Sequence, residues 1–181
     1  MLNHLLLDAD VLIDYLKANL SVLALASRHI GKAHVLSTVL QYEVDGLDAE
    51  DCEQRGIEVV EPDLEQLSEA SLLHGSLSFN DYLCLIIASR RGFVCVTNDK
   101  ALRKACERDG VSTLWGLEVM LELVRNQAMK VEDAIQIAEM ISKNNPYHVP
   151  EKLVVQFSQS ARSAGRQDAS DLPIVNLLMI I

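Results

Sequence analysis

The chain is poor in basic residues. Of its 181 residues only 16 are Lys or Arg, against 26 Asp or Glu, so its formal net charge is -10 at pH 7. Phosphate affinity depends largely on clustered Lys and Arg, so this balance argues against broad, nonspecific binding of nucleic acid. Hydrophobic residues make up 49% and charged residues 23%, which excludes disordered, collagen-like and coiled-coil classes. The length suits one domain with a small appendage.

Paired cysteines are also lacking. Cys52, Cys84, Cys95 and Cys106 are far apart in the sequence, so there is no C-x-x-C pair for zinc or redox chemistry. Cys84 and Cys95 lie in apolar runs, which predicts buried, reduced thiols in a cytoplasmic protein.

Export and membrane signals are missing as well. The N-terminus has no basic segment, and Asp8 and Asp10 interrupt its apolar run, so a signal peptide is not predicted. No stretch approaches the ~20 apolar residues that span a bilayer, and the apolar tail at 173–181 is too short. We therefore expect a cytoplasmic protein without a membrane segment.

Apolar strands alternate with helical segments in the first part of the chain. The pattern predicts strands over 5–7, 34–36, 57–60, 93–97 and 111–115, and helices over 11–17, 21–30, 38–45, 63–73, 79–91 and 100–108. Residues 46–55 are acidic and are expected to form exposed surface. This alternation predicts an α/β fold with a parallel sheet covered on both faces. In such sheets ligands bind beyond the carboxyl ends of the strands.

Beyond residue 115 the pattern is helical only. Helices are predicted over 117–126, 131–143 and 150–163, and Asn144-Asn145-Pro146 separates the last two. Residues 164–172 are small and polar, which is typical of a flexible linker. The sequence therefore predicts an α/β domain at 1–120, a helical extension at 121–163, and a linker with an apolar tail at 164–181.

Acidic residues follow the strands and begin one helix. Asp8 and Asp99 come after the first and fourth strands, Asp81 begins an almost wholly apolar helix, and Glu43 is predicted within the helix after the second strand. Each has an ordinary structural explanation. Asp8 and Asp99 suit helix N-caps, the segment SFND at 78–81 suits a capping box, and Glu43 suits a solvated helix position.

Convergence of these four acids would have a chemical consequence. Carboxylates packed together repel one another and raise their pKa values, and a divalent cation removes that penalty. Oxygen ligands favour hard cations such as Mg²⁺ or Mn²⁺ over zinc. Such a cation lowers the pKa of a bound water and stabilises charge on a phosphoryl oxygen.

Four segments carry these acids in order. They are LLLDADVLIDYL at the N-terminus, STVLQYEV, LSFNDYLCLIIA, and FVCVTNDKALRKACERDGV. Together they resemble the PIN-domain nucleases, especially the VapC-like toxin ribonucleases of toxin–antitoxin pairs, over about residues 1–120. The resemblance implies a three-layer α/β/α fold with a central parallel sheet, followed here by the helical extension.

The resemblance also implies a function. It makes Asp8, Glu43, Asp81 and Asp99 both the catalytic residues and the ligands of Mg²⁺ or Mn²⁺. The implied reaction is hydrolysis of an RNA phosphodiester by a metal-activated water, leaving a 5′-phosphate and a 3′-hydroxyl. The implied partners are RNA, a cognate antitoxin and a second copy of the chain.

Three further residues have supporting positions in this resemblance. Thr97 matches a polar position that often supports the site, and Asn98 is its neighbour. Asp10 stands where the family usually has Ser or Asn. It either assists the metal or caps the helix, and we favour the cap.

The segment 86–110 is locally basic. It holds six Lys or Arg and three acids, a balance of +3. Two readings stay open: the cations contact the RNA backbone, or they keep a helical surface soluble. The candidates for backbone contact are Arg90, Arg91, Lys100, Arg103 and Lys104.

The segment NNPYHVP at 144–150 resembles an extension found in some PIN-like proteins, without an assigned chemistry. His148 is a lone histidine, for which a surface or packing role is expected. We expect the extension and tail to mediate dimerisation or partner binding.

Two other functions compete with the nuclease. Asp8-Ala9-Asp10 resembles the D-x-D signature of haloacid-dehalogenase-like phosphatases, with Asp8 as nucleophile and Asp10 as general acid. However, Val11-Leu12 replaces that family's Gly-Thr, and no late acidic pair is present to hold its Mg²⁺. The other alternative is a PIN-like binding or regulatory protein without turnover, which four converging acids disfavour.

Overall fold

A five-stranded parallel sheet forms the centre of the molecule, which we describe from a computed structural model for residues 4–166. The strand order is β3-β2-β1-β4-β5, and every neighbouring pair is parallel. The strands are β1 His4–Leu7, β2 Lys32–Leu36, β3 Ile57–Val60, β4 Val94–Val96 and β5 Thr113–Leu114. The predicted α/β class with a helix-flanked parallel sheet is confirmed.

Ten helices surround and extend this sheet within residues 4–166. They are α1 Ala9–Ala18, α2 Ser21–His29, α3 Ser37–Tyr42, α4 Ala49–Gln54, α5 Leu64–Leu72, α6 Phe79–Arg91, α7 Lys100–Arg108, α8 Gly116–Arg125, α9 Val131–Asn144 and α10 Glu151–Ala164. None of these helices has both the length and the apolar character needed to cross a bilayer.

Two local features differ from or add to the predictions. The acidic stretch 46–55 is mostly exposed, as predicted, but it also contains α4, which begins because the Asp48 side chain accepts a hydrogen bond from the Asp51 N–H at 2.8 Å, and which buries Cys52. The predicted helix over 38–45 ends earlier: α3 stops at Tyr42, so Glu43 is its C-cap residue and not an internal position. Gly46 soon afterwards has φ of +79°, which favours glycine and directs the chain away from the helix.

The core lies on both faces of the central strand. Leu5, Leu6 and Leu7 of β1 are fully buried, and Leu6 pairs with His34 on one side and Cys95 on the other. Strands covered on both faces have few polar positions, which explains the continuous apolar runs of the sequence. All four cysteines are buried and free, as predicted.

The C-terminal helices pack against the sheet-flanking helices. Helix α9 contacts α1, α8 contacts α2, and α10 contacts both α8 and α9. The predicted boundary at residue 120 falls inside α8, and Ala164 is the last residue of α10. The rest of the predicted linker and tail, from residue 167 on, lies outside the described residues.

The strand order places a topological switch point between β1 and β4. From β1 the chain proceeds outward through β2 and β3, and then crosses back to β4 and β5 on the other side. Ligands of open α/β sheets bind at the carboxyl ends of the strands beside such a point. Asp8 directly follows β1, and Thr97, Asn98 and Asp99 follow β4.

Candidate functional site at the switch point

Asp8 is a buried carboxylate between β1 and α1. It is 5% exposed. Its Oδ1 accepts a hydrogen bond from the Ala9 N–H at 2.8 Å, so it is the N-cap of α1, and its Oδ2 accepts from the Thr97 hydroxyl at 2.7 Å. Its pKa is raised from 3.8 to about 7, mainly by burial and also by the nearby charges of Asp81 and Asp10, against the lowering effect of these hydrogen bonds.

Thr97 connects Asp8 to Asp99. Its fully buried hydroxyl donates to Asp8 and accepts from the Asp99 N–H at 3.0 Å. Asp99 caps α7, because its Oδ1 accepts from the Leu102 N–H at 2.7 Å. The resemblance gives Thr97 a supporting position, and its hydroxyl contacts Asp8 directly through the hydrogen bond to Oδ2.

Asp81 lies at the start of α6 in the predicted capping box. The Ser78 N–H donates to its Oδ2 at 2.7 Å, and its own N–H donates to the Ser78 hydroxyl at 3.1 Å. Partial burial raises the pKa of Asp81, and the carboxylates of Asp99 and Asp10 add to this effect. Asp8, Asp81 and Asp99 therefore interact electrostatically, together with Asp10, although each has an ordinary capping role.

Glu43 reaches this group through Asn80. The Asn80 Nδ2 donates to Glu43 Oε1 in a short contact. Burial raises the pKa of the Cys84 thiol, and the charges of Asp8, Asp81 and Glu43 also raise it, so these three carboxylates all lie within electrostatic range of one buried thiol. Asn80 itself is 5% exposed, and its Oδ1 has no hydrogen-bond partner in the described part of the chain.

The donor chemistry of this group suits a hard cation. Asp81 and Asp99 each use one carboxylate oxygen for helix capping, and the unpartnered Oδ1 of Asn80 adds a neutral oxygen beside Glu43. Oxygen donors of this kind favour Mg²⁺ or Mn²⁺. As the side chains stand, no group of three or more His, Cys, Asp or Glu within residues 4–166 could hold a metal ion.

Asp10 does not cap α1, contrary to our preferred interpretation, because Asp8 holds the N-cap position. Asp10 instead lies in the first turn and is partly exposed. Its charge raises the pKa values of Asp8, Asp14 and Asp81, each of which is raised mainly by burial. It therefore adds negative charge at the rim of the site.

Asn98 belongs to a second buried network that the sequence analysis missed. Its Nδ2 donates to Asp14 Oδ2 at 3.1 Å, and its Oδ1 accepts from the Gly116 N–H at 3.0 Å. The Gly116 carbonyl accepts from the buried Tyr15 hydroxyl at 2.7 Å. Asn145 donates to Asp14 Oδ1 at 2.9 Å. An acid amid the apolar run VLIDYL was the available signal for Asp14.

Asn98 also explains the glycine at 116. A Cβ at that position would lie 3.1 Å from both polar atoms of the Asn98 side chain and 3.4 Å from Val11. The close approach lets the amide of Asn98 connect the end of β4, helix α1 and the start of α8.

The predicted RNA-contacting cations separate into two groups. Arg103 lies on α7 near the site: its Nη1 is 3.5 Å from the Thr97 carbonyl oxygen, and its guanidinium stacks 4.2 Å from the Trp115 ring centroid. Burial lowers the pKa of Arg103. Lys100 and Lys104 are exposed on the same helix.

Arg90 and Arg91 are not beside the acids. They end α6, nine residues after Asp81, or about 14 Å along the helix axis at the usual rise. Arg90 pairs with Glu65 and Glu69 of α5, and Arg91 lies near His34. These contacts give both arginines a position away from the candidate site.

No protein-family model, curated protein or solved structure matches the chain. The family resemblance therefore rests on the four acidic segments of the sequence.

Proposed function

We propose that the chain is a metal-dependent, PIN-like endoribonuclease that hydrolyses RNA phosphodiester bonds. The observation that carries the proposal is the electrostatic coupling of Asp8, Asp81 and Asp99 at the switch point, where burial and like charges raise the pKa of Asp8 to about 7. Separate capping roles do not require the charge of Asp81 to disfavour ionisation of Asp8, nor the charge of Asp99 to disfavour ionisation of Asp81. A cation and a phosphodiester would offset this cost.

Asp8, Glu43, Asp81 and Asp99 would hold the cation. When bound, Mg²⁺ or Mn²⁺ supplies a bound water of lowered pKa and stabilises negative charge on the phosphoryl oxygens. Thr97 orients Asp8 through its hydroxyl, and the N–H groups of Ala9 and Leu102 fix one oxygen each of Asp8 and Asp99. These contacts restrict how far the carboxylates can rotate.

Arg103 is the cation best placed to contact the RNA backbone. It is stacked on Trp115 and directed toward the end of β4, so its guanidinium is ordered before substrate arrives. Lys100 and Lys104 supply further positive charge on the same helix. A short basic surface beside an acidic site suits local rather than broad RNA binding.

The proposal includes a cellular setting taken from the resemblance. The chain would act in the cytoplasm as a homodimeric toxin held inactive by a cognate antitoxin. The acidic surface that remains, with 26 acids in the chain, suits a basic partner segment. Light scattering measures the mass of the purified protein in solution. A monomeric mass would refute the dimer.

The test is cleavage of a mixed RNA pool with Mg²⁺, Mn²⁺ or chelator. We expect cleavage with either metal, none with chelator, and loss of at least 100-fold in Asp8→Asn, Asp81→Asn and Asp99→Asn, since each removes an anionic ligand. The matched control is Asp63→Asn. Asp63 is also an N-cap, at the exposed start of α5, and Asn caps helices as well as Asp.

Each alternative outcome has a distinct meaning. Cleavage by Asp8→Asn and Asp81→Asn at the parent rate refutes the site. Release of phosphate from small phosphomonoesters with RNA intact supports the haloacid-dehalogenase-like phosphatase. Metal-independent RNA binding without any turnover supports the binding protein.

A further inference from the structure

The loop between α9 and α10 is fixed at both of its ends. The Asn145 side chain donates to the buried Asp14 carboxylate at 2.9 Å. The backbone of Asn145 accepts from the Val149 N–H at 2.9 Å, and Val149 is buried in the core. Of the three residues between these anchors, Pro146 and Tyr147 are exposed and His148 is partly exposed.

This loop lies beside the acidic site. His148 Nδ1 is 4.0 Å from Asp10 Oδ2, and its charge also lowers the pKa of Asp14, which burial raises overall. Asp10 in turn acts on the ionisation of Asp8 and Asp81. A segment 131 residues away from α1 in sequence thus forms part of the same rim.

Tyr147 is the most exposed large hydrophobic side chain among residues 4–166. It is 88% exposed. Its described aromatic contact is with His148, in a T-shaped arrangement with the ring planes at 74° and the centroids 4.9 Å apart. With 88% of the side chain exposed, most of the phenol ring is open to solvent, although the backbone around it is fixed. Packing within the chain therefore does not account for an aromatic residue here.

We propose that Tyr147, supported by His148, is a stacking platform for an unpaired base of the RNA substrate. The inference rests on the proposed nuclease function for its ligand, but it concerns binding and not the chemical step. Every base has a π-face that stacks on an aromatic ring, and such stacking tolerates different bases. The platform would hold a single-stranded segment at the rim while Arg103 contacts the backbone, so the enzyme would prefer unpaired RNA over duplex.

The test is the affinity of the full chain for a fluorescent single-stranded RNA oligonucleotide in chelator, where metal-dependent cleavage is absent. A stacked base is worth ~1–3 kcal/mol, so Tyr147→Ala is expected to weaken binding about 5- to 150-fold. Tyr147→Phe and Tyr147→Trp should retain the parent affinity. Tyr147→Leu should behave as Tyr147→Ala, because it keeps an apolar side chain of similar size without a flat ring.

Two controls accompany these variants. Val155→Ala removes another exposed apolar side chain of the extension, 52% exposed on α10, and should bind as the parent does. An RNA duplex of the same length should compete poorly. With Mg²⁺ present, Tyr147→Ala should raise KM for RNA cleavage and leave kcat within about twofold.

The outcomes separate the platform from the nuclease. Loss of binding in Tyr147→Ala and Tyr147→Leu, without any metal-dependent cleavage by the parent, supports the platform and refutes the nuclease. Equal affinity of Tyr147→Ala and the parent, equal competition by duplex, or no RNA binding by the parent refutes the platform, whatever the cleavage assay shows.

Discussion

Asp8→Asn should stabilise the metal-free protein at neutral and higher pH. In the unfolded chain Asp8 ionises near 3.8, whereas in the folded chain burial holds its pKa at about 7. The folded state therefore binds the Asp8 proton more tightly, and stability falls as pH rises from about 4 to about 7. Asn is uncharged, so the variant avoids this loss.

The magnitude follows from the pKa difference. Each pKa unit corresponds to ~1.4 kcal/mol, so the rise from 3.8 to about 7 gives an upper limit of ~4 kcal/mol. For a domain of this size, ~1 kcal/mol shifts Tm by ~2–4 °C. We expect the Tm of Asp8→Asn to exceed that of the parent by up to ~8–16 °C at pH 8, with little difference at pH 4.

The assay is thermal unfolding in chelator from pH 4 to pH 8. Asp63→Asn, an exposed N-cap variant on α5, is the control and should follow the parent at every pH. Mg²⁺ should then raise the Tm of the parent at pH 8 and leave that of Asp8→Asn nearly unchanged. A difference between Asp8→Asn and the parent that is the same at pH 4 and pH 8 would refute the burial argument.

Three further predictions concern the contacts around the site. Thr97→Val removes the hydroxyl donor to Asp8, so urea unfolding should show a loss of ~1–3 kcal/mol in the free energy of unfolding. The loss should be larger at pH 8 than at pH 5, because the hydrogen bond favours the ionised carboxylate. An equal loss at the two pH values would contradict this reasoning. Asn145→Ala leaves the buried Asp14 without one donor and should cost ~1–3 kcal/mol by the same measurement, and an unchanged midpoint would show that the contact contributes nothing. His34 has its pKa lowered mainly by burial, from 6.5 to about 4, so its neutral form stabilises the fold fully above pH 6.5 and less as pH falls toward 4. Between pH 7 and pH 4 the parent should therefore lose up to ~3 kcal/mol more free energy of unfolding than His34→Gln. Parallel pH profiles of the two proteins would refute this prediction.

Elements with local end signals were predictable from the sequence. Helix α6 has the bounds expected, because Ser78 caps its start and Gly92, with φ of +66°, ends it. Helix α7 likewise begins after the cap at Asp99. By contrast, α4 was missed, because its sequence is mostly acidic and Cys52 is its one buried residue.

Contacts between distant segments were not predictable in the same way. The pairing of Asn145 with Asp14 joins residues 131 positions apart, and no local pattern encodes such a pairing. The position of Arg90 and Arg91 was open to inference, since a helix that connects two parallel strands must run back toward the edge from which the strands start. Their end of α6 is thus opposite the acids.

The positions of the site residues along the chain determine when during translation the site can form. Asp8 follows β1 near the start of the chain, but the neighbouring strand β4, whose Val94 pairs with Leu5, comes much later, and the loop that holds Tyr147 comes later still. Because a ribosome releases the N-terminus first, a nascent chain that ends before residue 99 lacks Asp99 and the strand beside Asp8. The candidate site at this edge of the sheet therefore cannot assemble until more than half of the message has been translated. If the chain cuts RNA as proposed, this order would keep each nascent copy inactive until more than half of its message has been read.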